Sequence, residues 1–219
     1  MAVYTTIDYP QQYFQTVLYT GNETNRTITL DDTDANTDPD FVWIKARNDA
    51  NSHELFDSVR GVQKPLFSDS TAAEGSTSDS LTAFNTDGFN LGAGGGINGN
   101  SDTLVAWCWK ESATAGFDIV AYTGDGATTL NVSHGLGVVP SMIIVKSRAT
   151  SGRSWAVYHH KNTAAPETDF LELNATAATS DNINRWYDTA PTSSVFTVGT
   201  SNDVNASETY ISYLFAEKQ

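Results

Sequence analysis

The densest run of possible metal ligands is Asp31-Asp32-Thr33-Asp34-Ala35-Asn36-Thr37-Asp38-Pro39-Asp40. Side-chain oxygens recur at every second position from 32 to 40, and a hard cation such as calcium is held by six to eight such oxygens. Asp32, Asp34, Asn36 and Asp38 are therefore the candidate calcium ligands, with Asp40 next in line. The run departs from the helix–loop–helix calcium loop, because Thr37 stands where glycine is required and Trp43 where the bidentate glutamate belongs. A solvated turn is the competing reading and the favoured one, so no cofactor is expected beyond this one candidate.

Other reactive side chains carry less. His159 and His160 could supply a ligand or a base, but neighbours on a strand point to opposite faces and cannot both reach one ion. His134 precedes Gly135-Leu136-Gly137 and suits a structural hydrogen bond in a turn. The single cysteine, Cys108, lies between Trp107 and Trp109 in an apolar run and reads as a small buried hydrophobe. Gly92 to Asn100 is glycine-rich, yet a phosphate loop must open a helix, and here Val105-Ala106-Trp107 reads as a strand. Among 26 acids no two stand out as a glycosidase pair. Trp186 and Tyr187 could stack on a sugar ring, with core packing or an inter-subunit contact as competing readings of at least equal weight. The five Asn-x-Ser/Thr sequons, at Asn22, Asn25, Asn131, Asn174 and Asn205, are explained by chance in a chain rich in Asn and Thr.

The elements that must position these residues are written nearly twice. Val17-Leu18-Tyr19-Thr20-Gly21 returns as Val120-Ala121-Tyr122-Thr123-Gly124, and Pro39 to Arg47 returns as Pro140 to Arg148. Phe89-Asn90-Leu91-Gly92 answers Phe196-Thr197-Val198-Gly199, and Val105 to Trp109 answers Ile211 to Phe215. The offset stays between 101 and 107 residues, which is the size of a small domain rather than of a solenoid repeat. Strands of four to eight residues bounded by Gly, Asn, Asp and Ser predict an all-β fold of two tandem β-sandwich modules, jelly-roll-like. The modules span 15–111 and 117–219, behind an N-terminal arm, 1–14. Phe41–Lys45 and Met142–Lys146 are unbroken apolar runs that suit central strands. Ala177 to Arg185 has room for one helical turn, and Asp69 to Ser80 reads as a polar surface excursion. Trp43, Trp107, Trp109, Ile144, Tyr213 and Phe215 are expected in the cores or at the module joint, with Trp107 and Trp109 on one face of their strand and Cys108 on the other.

Composition bounds the partners. A net charge of −14 argues against nucleic acid and against anionic membranes, since both need clustered Lys and Arg. No run approaches the roughly 18 apolar residues of a membrane span, and the start lacks the regions of a signal peptide, so a soluble chain is expected. The arm carries Tyr4, Tyr9, Tyr13 and Phe14 outside the repeat, and these are the candidate assembly residues.

Met1 to Pro10 with Tyr13-Phe14 and Tyr19-Thr20-Gly21 resembles the opening of tail-fibre-like virion proteins of marine bacteriophages. The likeness continues through Asp57-Ser58-Val59-Arg60-Gly61, Asn85 to Gly92, His134 to Pro140, Trp155 to His159 and Tyr210 to Glu217, so it covers almost the whole chain. The resemblance implies a non-enzymatic virion protein on the outside of the particle. It would form a homo-oligomer, with a trimer favoured, and would contact other virion proteins and a host-surface glycan or protein. Family members carry further repeats after the closing Phe-Ala-Glu, so a short fibre, knob, adaptor or decoration subunit is expected here. A capsid or tail accessory that binds only virion proteins, and a carbohydrate-binding module, are the alternatives.

Overall fold

Residues 7, 9–30 and 38–217 are described in the computed structural model of the chain. Asp32, Asp34, Asn36 and Tyr4 lie outside the described residues. The described residues are almost wholly β. The first eight strands are β1 (Phe14–Thr20), β2 (Arg26–Thr29), β3 (Phe41–Ala46), β4 (Glu54–Asp57), β5 (Leu66–Phe67), β6 (Leu81–Asn85), β7 (Gly88–Leu91) and β8 (Thr103–Trp109). The second eight are β9 (Phe117–Thr123), β10 (Leu130–Ser133), β11 (Met142–Ser147), β12 (Ala156–His159), β13 (Asp169–Glu172), β14 (Ser180–Asp181), β15 (Val195–Val198) and β16 (Thr209–Phe215). Three single-turn helices interrupt them: α1 (Gly95–Asn98), α2 (Ile183–Trp186) and α3 (Asn202–Asn205).

The chain divides into two compact units. The first comprises Ile7–Ser68 and Glu74–Glu111, and the second includes Asp69–Ala73 and the chain from Ser112 onward. In the first unit a sheet ordered β1-β8-β3-β4-β5 faces a sheet ordered β2-β7-β6. Val42, Ile44, Phe56, Ala106 and Cys108 from one side meet Ile28, Leu81 and Phe89 from the other, which makes a sandwich. In the second unit a sheet ordered β9-β16-β11-β12-β13-β14 faces the pair β10-β15, over a core that includes Ile143, Val145, Tyr158, Phe196 and Leu214. Each large sheet follows the same chain order, with the run after Pro39 or Pro140 at its centre. The eight strands of each unit are divided five and three in one, six and two in the other.

The same short motif locks both units. Tyr19 Oη donates to Ile97 O at 2.7 Å, and Tyr122 Oη donates to Val204 O at 2.7 Å. A Cβ on Gly21 would stand 2.1 Å from Gly99 O, and one on Gly124 would stand 2.1 Å from Ala206 O. The buried amides of Asn98 and Asn205 close the arrangement, donating to Thr24 O and Gly92 O in one unit and to Ala127 O in the other. Tyr-Thr-Gly thus recurs because a helical turn sits against it in each copy.

Several expectations are corrected. Phe14 is the first residue of β1, paired with Trp109, so it belongs to the sheet and the arm is shorter than 1–14. Tyr13 sits just before it, its N–H bonded to Pro10 O across a single 3-10 turn, and Tyr9 is exposed. The glycine-rich stretch contains α1, and a Cβ on Gly94, at its N-cap, would stand 2.6 Å from Asp79 O. Of the stretch Asp69 to Ser80, residues 76–79 are exposed as expected, but residues 70–73 are partly buried and group with the second unit, where Ser70 O and Thr71 O accept hydrogen bonds from Trp155 and Lys146. Trp186 lies in the second core at 2% exposure, which bears out core packing, one of the readings open to it, over sugar stacking.

Candidate functional site

Alternation along the central strands sends every second side chain away from the core. On β8 this buries Cys108 completely and turns Trp107 and Trp109 to the outer face, as the sequence reading holds. Burial pushes the Cys108 thiol up to about 12, which keeps it protonated and inert. On β3 the outward residues are Phe41, Trp43 and Lys45. The register sets Trp43 directly opposite Trp107 and Phe41 opposite Trp109. Of the residues expected in the cores or at the module joint, Trp43, Trp107 and Trp109 line the outer face of their sheet and are partly buried, so they are not core residues of their sandwich, while Ile144 and Tyr213 are buried.

The rings form one connected surface. Phe14 and Trp109 approach to 4.8 Å between centroids, Phe41 and Trp109 to 5.2 Å, and Trp43 and Trp107 meet edge to face at 6.4 Å. His53, just before β4, stands against Trp43 at 6.0 Å, and its Nδ1 accepts the indole N–H at 3.0 Å. That bond places the proton of a neutral imidazole on Nε2. Trp43, His53, Trp107 and Trp109 border an open hollow of about 290 Å³. Its walls are almost entirely apolar, and tilted aromatic contacts of this kind fix ring orientation as well as burying area. The arrangement suits stacking and shape recognition. On the opposite side of the sheet, where Glu54 pairs with the core-facing Ile44, burial alone pushes its carboxyl up to about 7.

The second unit holds the equivalent face in a different state. Ile144, Lys146, Trp155 and Tyr213 occupy the register positions of Trp43, Lys45, His53 and Trp107, and all four are buried, at 7, 0, 0 and 1% exposure. Trp155 stacks on Tyr213 at 6.5 Å and donates through Nε1 to Ser70 O at 3.2 Å. Lys146 Nζ donates to Arg153 O at 2.8 Å and to Thr71 O at 3.4 Å. Burial lowers its ammonium to about 8, partly opposed by Asp203 and Glu208.

The remaining sequence candidates serve structure. Asp38 Oδ2 lies 3.6 Å from Lys110 Nζ. Asp40 accepts from Ser58 Oγ and from the Glu111 N–H, each at 2.8 Å, and so braces the entry to β3. Among the described residues no group of three His, Cys, Asp or Glu side chains is placed to hold a metal. His160 falls one residue past the end of β12, so strand alternation does not separate it from His159, and the two rings stand 5.3 Å apart. His160 pairs with Glu217 at 3.2 Å, and His159 Nδ1 accepts the Lys161 N–H. His134 bonds Thr192 O at 3.2 Å, the structural role expected of it. Asn205 is wholly buried, which removes it as a glycan acceptor.

No curated protein matches the chain. A solved structure titled "Crystal Structure of the STIV MCP" is similar over 92% of this chain and 84% of its own, at 7% identity and a TM-score of 0.20, a likeness too slight to carry an argument. Residues 9–219 match the family described as Domain of unknown function (DUF7483), and the chain belongs to that family.

Proposed function

We propose that this chain is a non-enzymatic bacteriophage virion protein of the tail-fibre type, built as two versions of one β-sandwich module. It acts by surface contact as a homo-oligomer, a trimer by preference, at the outside of the particle where it meets the host. One observation supports a contact role above others: Trp43, Trp107 and Trp109 line an open apolar hollow on the outer face of a sheet. Tryptophan is the residue most enriched where association energy concentrates. An imidazole whose Nδ1 is engaged by Trp43 serves there as a ring to pack against. The resemblance of almost the whole chain to tail-fibre-like proteins supplies the setting.

Immunogold electron microscopy of purified particles, with copy number from quantitative mass spectrometry, tests this reading. Label at the tail in a few copies is expected. Label over the whole capsid in hundreds of copies would replace it with capsid decoration, and particles without label would end the virion role. The tryptophan-lined hollow also favours a second reading, a carbohydrate-binding module, because indole faces stack on sugar rings. Glycan-array binding that disappears in Trp107→Ala is the result that reading requires.

A further inference from the structure

One position of the fold is treated in opposite ways by the two units. In the second unit Asp69–Ala73 lies along the outer face of the large sheet. Ser70 O accepts from Trp155 Nε1, Thr71 O accepts from Lys146 Nζ and from the Gly152 N–H at 2.9 Å, and the Ala73 N–H donates to Ser151 Oγ at 3.0 Å. In the first unit the equivalent residues Trp43, Lys45, His53 and Trp107 are all only partly buried, and three of them line the hollow.

The covering segment itself is written twice. It leaves β5, whose Leu66 pairs with Leu55, while in the other copy β13 pairs Leu171 with Val157. Counting on from these leucines, Asp69-Ser70-Thr71-Ala72-Ala73 corresponds to Asn174-Ala175-Thr176-Ala177-Ala178. Thr71, Ala72 and Ala73 recur as Thr176, Ala177 and Ala178, and Asp69 is replaced by its amide equivalent. The departure from the sheet is the same as well: the Ser68 N–H donates to His53 O, and the Leu173 N–H donates to Trp155 O. Yet Ala175 to Ala178 are exposed. The chain thus carries one covered face, one open face of the same register, and one exposed copy of the cover.

We propose that Asn174–Ala178 of one copy covers the Trp43–His53–Trp107 face of a second copy, repeating between chains the contact that Asp69–Ala73 makes with Lys146 and Trp155. The segment carries no charge and only small side chains, so two chains of net charge −14 can meet there without opposed carboxylates. Lys45 Nζ donates to Ala46 O at 2.6 Å and to Asp49 O at 2.8 Å, which leaves its third ammonium hydrogen for a backbone carbonyl of the segment, in the place where Lys146 meets Thr71 O. Each chain then offers one segment and one face. Such a head-to-tail contact gives a ring of fixed number where the rotation between copies brings the last to the first, and an open filament otherwise; the ring is the form proposed.

Size-exclusion chromatography with light scattering on the purified full chain decides the matter, independently of where the protein sits in a particle. The wild type should run as a discrete multiple of 23.6 kDa. Ala177→Arg and Thr176→Arg, both at exposed positions, should each run as single chains with an unchanged circular dichroism spectrum. Trp107→Ala should do the same from the side of the face. Mixing Ala177→Arg with Trp107→Ala restores one intact face and one intact segment, so a complex of one copy of each should appear. A wild type that remains a single chain at its highest soluble concentration overturns the proposal, as do arginine variants that assemble normally. A single-chain wild type whose tryptophan fluorescence responds to an oligosaccharide would give the face to a glycan and would overturn it too.

Discussion

Arg60 is fully buried and holds together the turn after β4. Its Nε lies 2.5 Å from Asp57 Oδ2, and its other nitrogens donate to Leu55 O, Lys64 O and the Glu74 carboxylate. Removing one partner of a buried pair leaves the other charge uncompensated, so Arg60→Ala should destabilise by about 3–5 kcal/mol in urea unfolding. Glu54 gives a pH signature. Its carboxyl, pushed up to about 7 by burial, keeps a proton that the unfolded chain releases near pH 4.3. Stability from this group is full below about pH 4.3 and is lost as pH rises through about 7, by on the order of 3 kcal/mol. Glu54→Gln should therefore hold a urea midpoint that falls less between pH 5 and pH 8 than that of the wild type. The second copy already has an uncharged residue, Ala156, at this position. At this scale the sequence foretold Cys108 and His134 well, because a residue between two tryptophans and one before a Gly-x-Gly turn have few alternatives. Arg60 was singled out only as part of the Asp57-to-Gly61 motif and its buried role was not foretold, since an arginine in a polar stretch shows nothing of its partners in sequence.

Among the elements, the repeated Tyr-Thr-Gly strand ends show why a spacing persists. Gly21 and Gly124 each lie against a backbone carbonyl at the end of a helical turn. Gly21→Ala and Gly124→Ala should each lower stability by about 1–3 kcal/mol, because the carbonyl they meet cannot swing aside as a flexible side chain would. Equal losses in urea unfolding would mark the two locks as equivalent. The central strands were legible because Phe41–Lys45 and Met142–Lys146 are unbroken apolar runs after a proline. The helical turns α1 and α3 were not, because four residues are too few for a helical period to register. Asp69–Ala73 was misjudged for a different reason. Its polar side chains suggested solvent, but its backbone carbonyls make the contacts, and sequence does not reveal where a carbonyl points.

At the scale of the whole molecule, two sheets share a strand order and carry unequal outer faces. One carries Ile144, Lys146, Trp155 and Tyr213 beneath a covering segment, and the other carries Trp43, Lys45, His53 and Trp107 around a hollow. Fully burying one large apolar side chain contributes roughly 1.5–3 kcal/mol, so covering what Trp43 and Trp107 still expose adds a part of that amount to association. The tandem pattern was visible in the sequence, but the difference between the faces was not, because Trp43 and Ile144 look alike as strand residues. The central claim is that the open face is made to be covered by a second copy. Hydroxyl-radical footprinting of the purified chain over a dilution series measures this directly. Trp43 and Trp107 should be protected in concentrated solution and become reactive on dilution, while Trp155 stays protected throughout. Equal reactivity of Trp107 at both ends of the series would contradict the account.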